Sequence, residues 1–203
     1  MKIAILGAGK VGGALGKKWS NAGHTIRFGV RDTHKPQVQE LVQSLGANVS
    51  ATSIAEAIDF GDVVLFAITG TPMDEMITAN AQALDGKIII DAANKFNVLP
   101  MNSLATFAAQ APTAPAYRAF NCYGWENFEN PIFGGVVGDM FYCGPDTEPR
   151  LVIERLISDV GLNPVYIGGP EQAELCDALV RLWFALAVGQ NMSRNLTLKV
   201  LRR

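Results

Sequence analysis

The chain begins with a short apolar run that ends in three closely spaced glycines. Residues 2–6 have the length and apolar character of a buried strand, and Gly7, Gly9 and Gly12 follow at once. In this spacing the first glycine permits a sharp turn, the second lets a phosphate approach the backbone, and the third lets a helix pack close to the strand. A segment with helical spacing comes next. The pattern therefore predicts a strand, a turn and a helix that together bind a dinucleotide.

Glycine-rich turns also arise by chance, since glycine accounts for 20 of the 203 residues. The alternative interpretation is a turn that binds no ligand. A second strand-like run at 24–30 favours the dinucleotide site, because it follows at the distance that a βαβ unit requires. The residues predicted to contact the cofactor's phosphates are consecutive: Gly7, Ala8, Gly9, Lys10, Val11 and Gly12.

The composition is that of a globular protein with a nearly balanced charge. Hydrophobic residues make up 49% of the chain, charged residues 18%, and the formal net charge is −2. Such a charge offers no basic field for nucleic acid and no polybasic patch for a membrane. Three widely spaced cysteines and the lack of a signal-peptide pattern predict reduced thiols in a soluble, cytoplasmic protein.

Apolar runs alternate with helical segments along the chain. The runs at 62–68 and 87–91 are continuously apolar, as in parallel strands that are buried on both faces. This order predicts an α/β fold with a doubly wound, mainly parallel sheet of the Rossmann type. We expect residues 1–168 to form the dinucleotide-binding domain and residues 169–203 to form a helical segment that packs on it.

The C-terminal segment is predicted to be helical from Glu171 to its end, with a break at Gly189. Leu175, Leu179 and Leu182 share one helical face, and the apolar content around Trp183 exceeds what one amphipathic stripe needs. We therefore expect this segment to pack both on its own domain and on a second subunit, which gives a homodimer.

The choice of cofactor is usually made just after the second strand. An acidic residue there hydrogen-bonds the ribose hydroxyls of NAD, whereas an arginine accommodates the 2′-phosphate of NADP. The strand is predicted to end at Val30, and Arg31 follows it, so the sequence favours NADP. If Asp32 closes the strand instead, the preference reverses to NAD.

The later strands should end at the same edge of the sheet, where the nicotinamide ring of the cofactor would lie. The residues predicted to contact the cofactor there are Ile68, Thr69, Ala92 and Asn94. Asp91 and Lys95 are further candidates, although an ordinary loop role is favoured for Lys95.

Residues 121–128 are rich in aromatic rings and amides. Apolar rings with a few polar groups line many small-molecule pockets, so this stretch is predicted to form a wall of the site, with Asn121 contacting the cofactor. The alternative is that the rings anchor a long loop to the core, and it has equal weight for Trp125 and Phe128.

No side chain stands out as a proton-transfer group. His24 begins the second strand and His34 lies in a polar turn, and neither is predicted to be catalytic. Reduction of a simple carbonyl needs a general acid, whereas hydride exchange between two redox cofactors relies mainly on holding two rings together. The sequence thus favours a hydride transfer without a catalytic side chain.

Several groups of residues, spread in order over nearly the whole chain, carry a resemblance to a known family. They are Gly7–Gly12, Gly29–Arg31, Ala119–Asn121 with Gly124–Asn127, Asp139–Phe141 with Cys143–Gly144, and Gly161–Leu162 with Gly168–Pro170. In these groups the chain resembles the NADPH-dependent reductases of coenzyme F420, a deazaflavin. The resemblance implies that Arg31 binds the 2′-phosphate and that Ile68 and Ala92 lie on the nicotinamide side. Ala8 and Val30 replace hydroxyl residues that are frequent in the family, which implies weaker binding of the 2′-phosphate.

The resemblance implies an oxidoreductase that exchanges a hydride between NADP(H) and a flat acceptor, either a deazaflavin or a flavin. A second hypothesis is a sensor that binds NADP without turning it over. A third is an imine or ketone reductase, for which Lys95 is the one candidate catalytic lysine in the sequence.

Overall fold

The computed structural model describes residues 1–68, 73–96 and 98–203. Strands and helices alternate through the first part of the chain. In order they are β1 (Lys2–Leu6), α1 (Lys10–Asn21), β2 (Thr25–Gly29), α2 (Pro36–Leu45), β3 (Val49–Thr52), α3 (Ile54–Phe60), β4 (Val63–Phe66), α4 (Met73–Ala79), α5 (Ala81–Leu84), β5 (Ile88–Asp91), α6 (Leu104–Gln110) and β6 (Ala116–Arg118).

Smaller elements follow, together with two longer helices. They are α7 (Trp125–Glu129), β7 (Ile132–Phe133), β8 (Val136–Val137), β9 (Asp139–Tyr142), α8 (Arg150–Val160), β10 (Asn163–Tyr166) and α9 (Ala173–Phe184), and a π-helical turn, Ala185–Gly189, continues α9. Gly161 ends α8 in the left-handed conformation, as its place after the apolar run predicts.

Within the described residues, the central sheet has six parallel strands in the order β3-β2-β1-β4-β5-β6. The predicted doubly wound α/β fold is therefore confirmed. The strand order reverses between β1 and β4, and ligands of such sheets bind in the crevice outside the carboxyl ends of the strands at that point. The glycine loop leaves β1 at this crevice.

Both faces of the sheet are buried, which explains why its strands are continuously apolar. Ile3 and Ile5 belong to a core cluster with residues of α1 and α8, whereas Ala4 and Leu6 belong to the cluster on the opposite face. The indole N–H of Trp19 in α1 donates to a backbone carbonyl of α8 at 2.9 Å, so the buried ring is also satisfied as a polar group.

Two small elements form between β6 and β9. Residues 125–129 form α7, which packs on α1, and β7 and β8 form a hairpin. Gly134 and Gly135 connect the hairpin, both with positive φ, as a tight hairpin turn requires. The Gly-Gly pair between two apolar pairs was a visible signal for this hairpin.

Residues 73–84 form two short helices, α4 and α5, and not one continuous helix. The side-chain amide of Asn80 donates to the Met76 carbonyl at 2.8 Å, and Asn80 separates α4 from α5. Asparagine commonly ends helices because its amide competes for backbone partners.

The prediction that the chain is helical to its end is wrong beyond Gly189. Residues 190–203 return along the body of the protein without forming a helix. The Leu196 carbonyl accepts bonds from Asn127 and from Trp183, at 2.6 and 2.8 Å. The Asp139 carboxylate accepts the Val200 N–H at 2.8 Å. The alternation of apolar and polar residues over 195–200 agrees with this extended path.

The helix α9 is buried on one side and open on the other. Cys176, Val180 and Trp183 face the core, whereas Leu175 and Leu182 are 53% and 46% exposed. No helix in the described part of the chain is long and apolar enough to cross a membrane.

Candidate functional site

The turn between β1 and α1 depends on two of its glycines. Gly7 has a φ of +108°, and a Cβ atom added there would lie 2.7 Å from the Ala67 carbonyl oxygen. A Cβ on Gly12 would lie 2.1 Å from the Gly7 carbonyl oxygen. Any larger residue at either position collides with backbone, so these glycines set how closely α1 approaches the sheet.

Gly9 differs from these two because it faces open space. It is the N-cap of α1, with an extended backbone, and a Cβ atom there would have no neighbour within 4 Å. No side chain caps this helix, and its first turn contains no acidic residue. Helix α1 begins with Lys10 and Val11, beside the half-buried Ala8. Its first N–H groups are therefore available to an anion.

Lys10 lies at the rim of a groove beside this loop. Its ammonium nitrogen is 4.9 Å from the centre of the Trp125 ring, a cation–π contact between α1 and α7. The groove has a volume of about 500 Å³ and is bordered by α1, α2 and α7. The groove could not be predicted from the sequence, because the position of Trp125 depends on how α7 packs.

The end of β2 presents a positive charge at the same edge of the sheet. The strand ends at Gly29, and the Val30 N–H donates to Thr52 at 3.0 Å. Arg31 is exposed, and the ion pairs of the described residues do not include it. Asp32 accepts the His34 N–H within its own turn at 2.9 Å, so the alternative in which Asp32 closes the strand is wrong.

The ends of β4 and β5 lie on the other side of the crevice. Ile68 follows β4, and one of its methyl carbons would be 3.2 Å from a Cβ on Gly7. Thr69, predicted to contact the cofactor, lies outside the described residues. Ala92 and Asn94 leave β5, with Ala92 buried and Asn94 half-buried. The ends of β2 and β4 thus contact the glycine loop, and the end of β5 lies one strand further along the same edge.

Asp91 and Lys95 are engaged with other side chains. The Asp91 carboxylate is fully buried and accepts the backbone N–H groups of Ala93 and Ser103 at 3.1 and 2.8 Å. Burial raises the pKa of Asp91, although the Arg118 guanidinium beside it opposes the shift. The Lys95 ammonium lies 3.1 Å from the Asp74 carboxylate. This ion pair agrees with the ordinary loop role that is predicted for Lys95.

Asn94 and Asn121 are linked, but only Asn94 reaches the surface. The Asn94 side-chain N–H donates to the Asn121 backbone carbonyl at 3.0 Å. The Asn121 side chain is 1% exposed and donates to the Cys176 carbonyl of α9 at 3.0 Å. The amide of Asn121 therefore faces α9 and not the crevice.

The aromatic rings of residues 120–128 mostly pack into the core. Phe120, Tyr123 and Phe128 are buried, and Phe120 makes edge contacts with Trp19 and Phe128. The Tyr123 hydroxyl donates to the Asp139 carbonyl at 2.8 Å, and burial raises its pKa. The buried rings of Phe120, Tyr123 and Phe128 therefore anchor the segment and form no pocket wall, whereas the half-exposed Trp125 lines the groove beside α1.

Both histidines lie away from the ends of β4 and β5. His24 precedes β2 at the opposite edge of the sheet and pairs with Asp159 at 2.9 Å. His34 is exposed in the turn after Arg31. Neither position suits a proton donor for a substrate beside the ends of β4 and β5.

Arg118 was not among the residues predicted for the site. It ends β6, is fully buried, and pairs with Asp91 at 3.0 Å and with Asp177 at 2.8 Å. The available signal was an arginine inside an apolar strand. Buried charges need partners, but the sequence alone did not identify Asp177, which lies 59 residues further along the chain.

Comparisons with known proteins agree with this geometry. The family described as "NADP oxidoreductase coenzyme F420-dependent" matches residues 2–95. A protein from Arthrobacter sp. FB24, provisionally assigned as an F420-dependent NADP-reductase, has a TM-score of 0.87 at 22% identity and covers 100% of both chains. A reductive aminase from Aspergillus terreus, in complex with NADPH and ethyl levulinate, has a TM-score of 0.68 at 20% identity. An imine reductase from Myxococcus stipitatus, in complex with NAD+, has a TM-score of 0.70 at 15% identity.

These matches differ in what they cover. The aligned regions span 93% and 94% of this chain but only 62% and 63% of the aminase and the imine reductase. The structural likenesses confirm the fold. The family match confirms the resemblance over residues 2–95, and with it the class of NADP-dependent oxidoreductase.

Gly9→Val should weaken NADPH binding by about tenfold or more, because the new side chain would fill the space through which a pyrophosphate reaches the N-terminus of α1. The fold should persist, since a Cβ at this position meets no neighbour within 4 Å. A titration of NADPH fluorescence, with a thermal melt of each variant, measures both effects. The control is Gly13→Ala, one helical turn further on, which should bind NADPH as the wild type does. Equal affinity of Gly9→Val and wild type would contradict the site.

Proposed function

We propose that the protein is a cytoplasmic enzyme that transfers a hydride between NADP(H) and a flat redox acceptor, with a deazaflavin such as F420 as the preferred class and a flavin as the next. The observation that carries the proposal is the combination of an open helix N-terminus at the crevice with a family match to F420-dependent NADP oxidoreductases over the same residues. The free thiols of all three cysteines agree with a reducing compartment.

The proposed pose of NADP(H) follows from the edge of the sheet. The pyrophosphate would lie on the N-terminus of α1 at Gly9, where backbone N–H groups and the helix dipole favour negative charge. Arg31 would meet the 2′-phosphate after β2. The nicotinamide would then lie beside Ile68 and the exit of β5 at Ala92 and Asn94. When bound, NADPH supplies the hydride, and the protein holds the two rings in place.

The side chains around the exit of β5 support an acceptor that needs no protein acid. Asp91 is held by Arg118, Lys95 is paired with Asp74, and the Tyr123 hydroxyl bonds to a backbone carbonyl. These groups are engaged inside the fold, so a proton that accompanies the hydride would come from water. A deazaflavin or flavin accepts a hydride at a ring atom, so it can be reduced without a proton donor from the protein.

The imine reductases among the similar structures favour a second candidate, reduction of an imine. This candidate requires a group that protonates or orients the nitrogen, and Lys95 is ion-paired with Asp74 at 3.1 Å. We therefore rank imine reduction below transfer to a deazaflavin, and a sensor without turnover below both.

The decisive experiment is NADPH oxidation by the purified protein with F420, with FMN, with a cyclic imine and with no acceptor. Turnover with F420 that exceeds turnover with the other acceptors is the expected result. Faster oxidation with the imine would establish the second candidate. NADPH binding without oxidation by any acceptor would support the sensor and contradict the proposed enzyme.

Arg31→Ala should weaken NADPH binding by about tenfold to a hundredfold, because a charge-assisted bond to a phosphate contributes roughly 1.5–3 kcal/mol. NADH lacks the 2′-phosphate, so its affinity should not change. Fluorescence titrations with both nucleotides measure the difference. Arg155→Ala, an exposed arginine on α8, is the control and should leave both affinities unaltered. An equal loss for NADPH and NADH would exclude the role of Arg31 in binding the 2′-phosphate.

We also propose that two copies associate through the exposed face of α9. Leu175 and Leu182 lie on this face, and Glu174 and Arg181 are exposed there with opposite charges near the two ends of the helix. In an antiparallel pair about a twofold axis, Glu174 of one copy would approach Arg181 of the other, so the face is complementary to itself.

Leu182→Glu should convert the dimer to a monomer, because it places a carboxylate in the apolar contact. Light scattering of the eluting protein measures the mass. Leu151→Glu, which replaces a leucine that is 59% exposed on α8, should leave the mass at that of the dimer. A monomeric wild type would refute the proposal.

A further inference from the structure

Arg118 lies at the centre of a buried network below the exit of β5. Its Nη1 donates to the Asp91 carboxylate at 3.0 Å, to the Asp91 backbone carbonyl at 3.2 Å and to the Ala93 carbonyl. Its Nη2 donates to the Asn94 side-chain oxygen at 2.6 Å, and Nε and Nη2 both donate to Asp177 at 3.0 and 2.8 Å. One guanidinium therefore contacts three residues of the chain segment that leaves β5.

Stability alone does not account for this network. Asp91 and Arg118 are fully buried and Asp177 is nearly so, and removing charges from water costs about as much as their pairing returns. Apolar side chains of similar size often replace buried ion pairs without loss of stability. What apolar residues cannot supply is the set of directed bonds to the Asp91 and Ala93 carbonyls. The network instead fixes a conformation.

The group most directly fixed is the amide of Asn94. Because its oxygen accepts from Arg118, its NH2 group must point the other way, where one N–H donates to the Asn121 carbonyl at 3.0 Å. Among the described residues this is the one acceptor of the Asn94 NH2 group, and the residue is half-buried at the edge of the crevice. The amide thus presents an N–H donor whose direction Arg118 determines.

The same guanidinium ties this segment to the C-terminal helix. Asp177 of α9 accepts from Arg118, and its other oxygen accepts the Asn102 side-chain N–H at 2.8 Å. The segment after β5, the end of β6 and α9 are therefore joined at one point. A change at Arg118 affects the segment after β5 and α9 together.

We propose that Arg118 is a positioning residue that holds the Asn94 amide as a hydrogen-bond donor for the carboxamide of the nicotinamide ring. The proposal rests on the proposed pose of NADP(H), in which the nicotinamide lies at the exit of β5. Arg118 itself does not touch the cofactor. It acts through Asn94, and it contributes to the binding of only the nicotinamide half of the dinucleotide.

The test compares two ligands that differ only in that half. NADPH carries the nicotinamide ring, whereas 2′-phospho-ADP-ribose retains the adenosine, the 2′-phosphate and the pyrophosphate without it. Arg118→Lys keeps a positive charge but loses the planar fork that reaches Asn94 and Asp177 together. It should raise the Kd of NADPH by up to about tenfold, the loss expected when the hydrogen bond from Asn94 to the nicotinamide carboxamide is no longer held in place, and leave the Kd of 2′-phospho-ADP-ribose unchanged. The proposal would be overturned if the binding of both ligands weakened equally, or if the binding of neither changed.

A second variant covers the outcome in which Arg118→Lys does not fold. Asn94→Asp keeps an oxygen for Arg118 but removes the N–H donors, at a half-buried position. Like Arg118→Lys, it should weaken the binding of NADPH and leave the binding of 2′-phospho-ADP-ribose unchanged. Where both variants fold, the double variant should lose no more NADPH affinity than either single variant, because both changes remove the same interaction. Additive losses would show that Arg118 does not act through Asn94.

A matched control variant is present on α8, and the binding test does not depend on which acceptor the protein reduces. Arg150→Lys alters an arginine that also bridges two carboxylates, Asp146 and Glu154, but lies on α8, and it should bind both ligands as the wild type does. The binding comparison needs no acceptor, so failure to reduce F420 or a flavin would leave it intact. Failure of the wild type to bind NADPH would remove both proposals.

Discussion

The structure depends on one close approach, that of α1 to the loop that leaves β1. A side chain on Gly12 would overlap the Gly7 carbonyl oxygen, so the helix can lie this near to the strand only without one. This contact directs the N-terminus of α1 over the point where the strand order reverses. The ends of β2 and β4 lie on either side of the loop that precedes the helix, and the end of β5 lies beyond β4. The remaining residues of the site take their positions from this arrangement.

Local features of the sequence predicted the first half of the fold well. Pro36 begins α2 and Gly46 follows its end, and Ser53 caps α3 in a reciprocal bond with Glu56. The glycine loop could be predicted for the same reason, because each glycine acts through its own backbone or that of its neighbours. These signals lie within a few residues of the structure that they specify.

The features that the sequence did not reveal depend on distant partners. Asn121 looked like a residue of the site, but its amide faces α9, which lies 55 residues away along the chain. The rings of Phe120 and Tyr123 are turned inward by the packing of α1 and by the returning C-terminal residues. The role of Arg118 depends on its ion pairs with both Asp91 and Asp177, and these partners lie far from it along the chain. Residue type alone does not encode the direction in which a side chain points.

The returning C-terminal segment has a consequence for how the protein forms during synthesis. The Leu196 carbonyl accepts hydrogen bonds from Trp183 and Asn127, and the Asp139 carboxylate accepts one from the Val200 N–H. Residues 190–203 are synthesised after the central sheet, whose last strand ends at residue 118. Domains form from the N-terminus during translation. The helices α7 and α9 therefore gain these polar partners only after every strand of the central sheet has been synthesised.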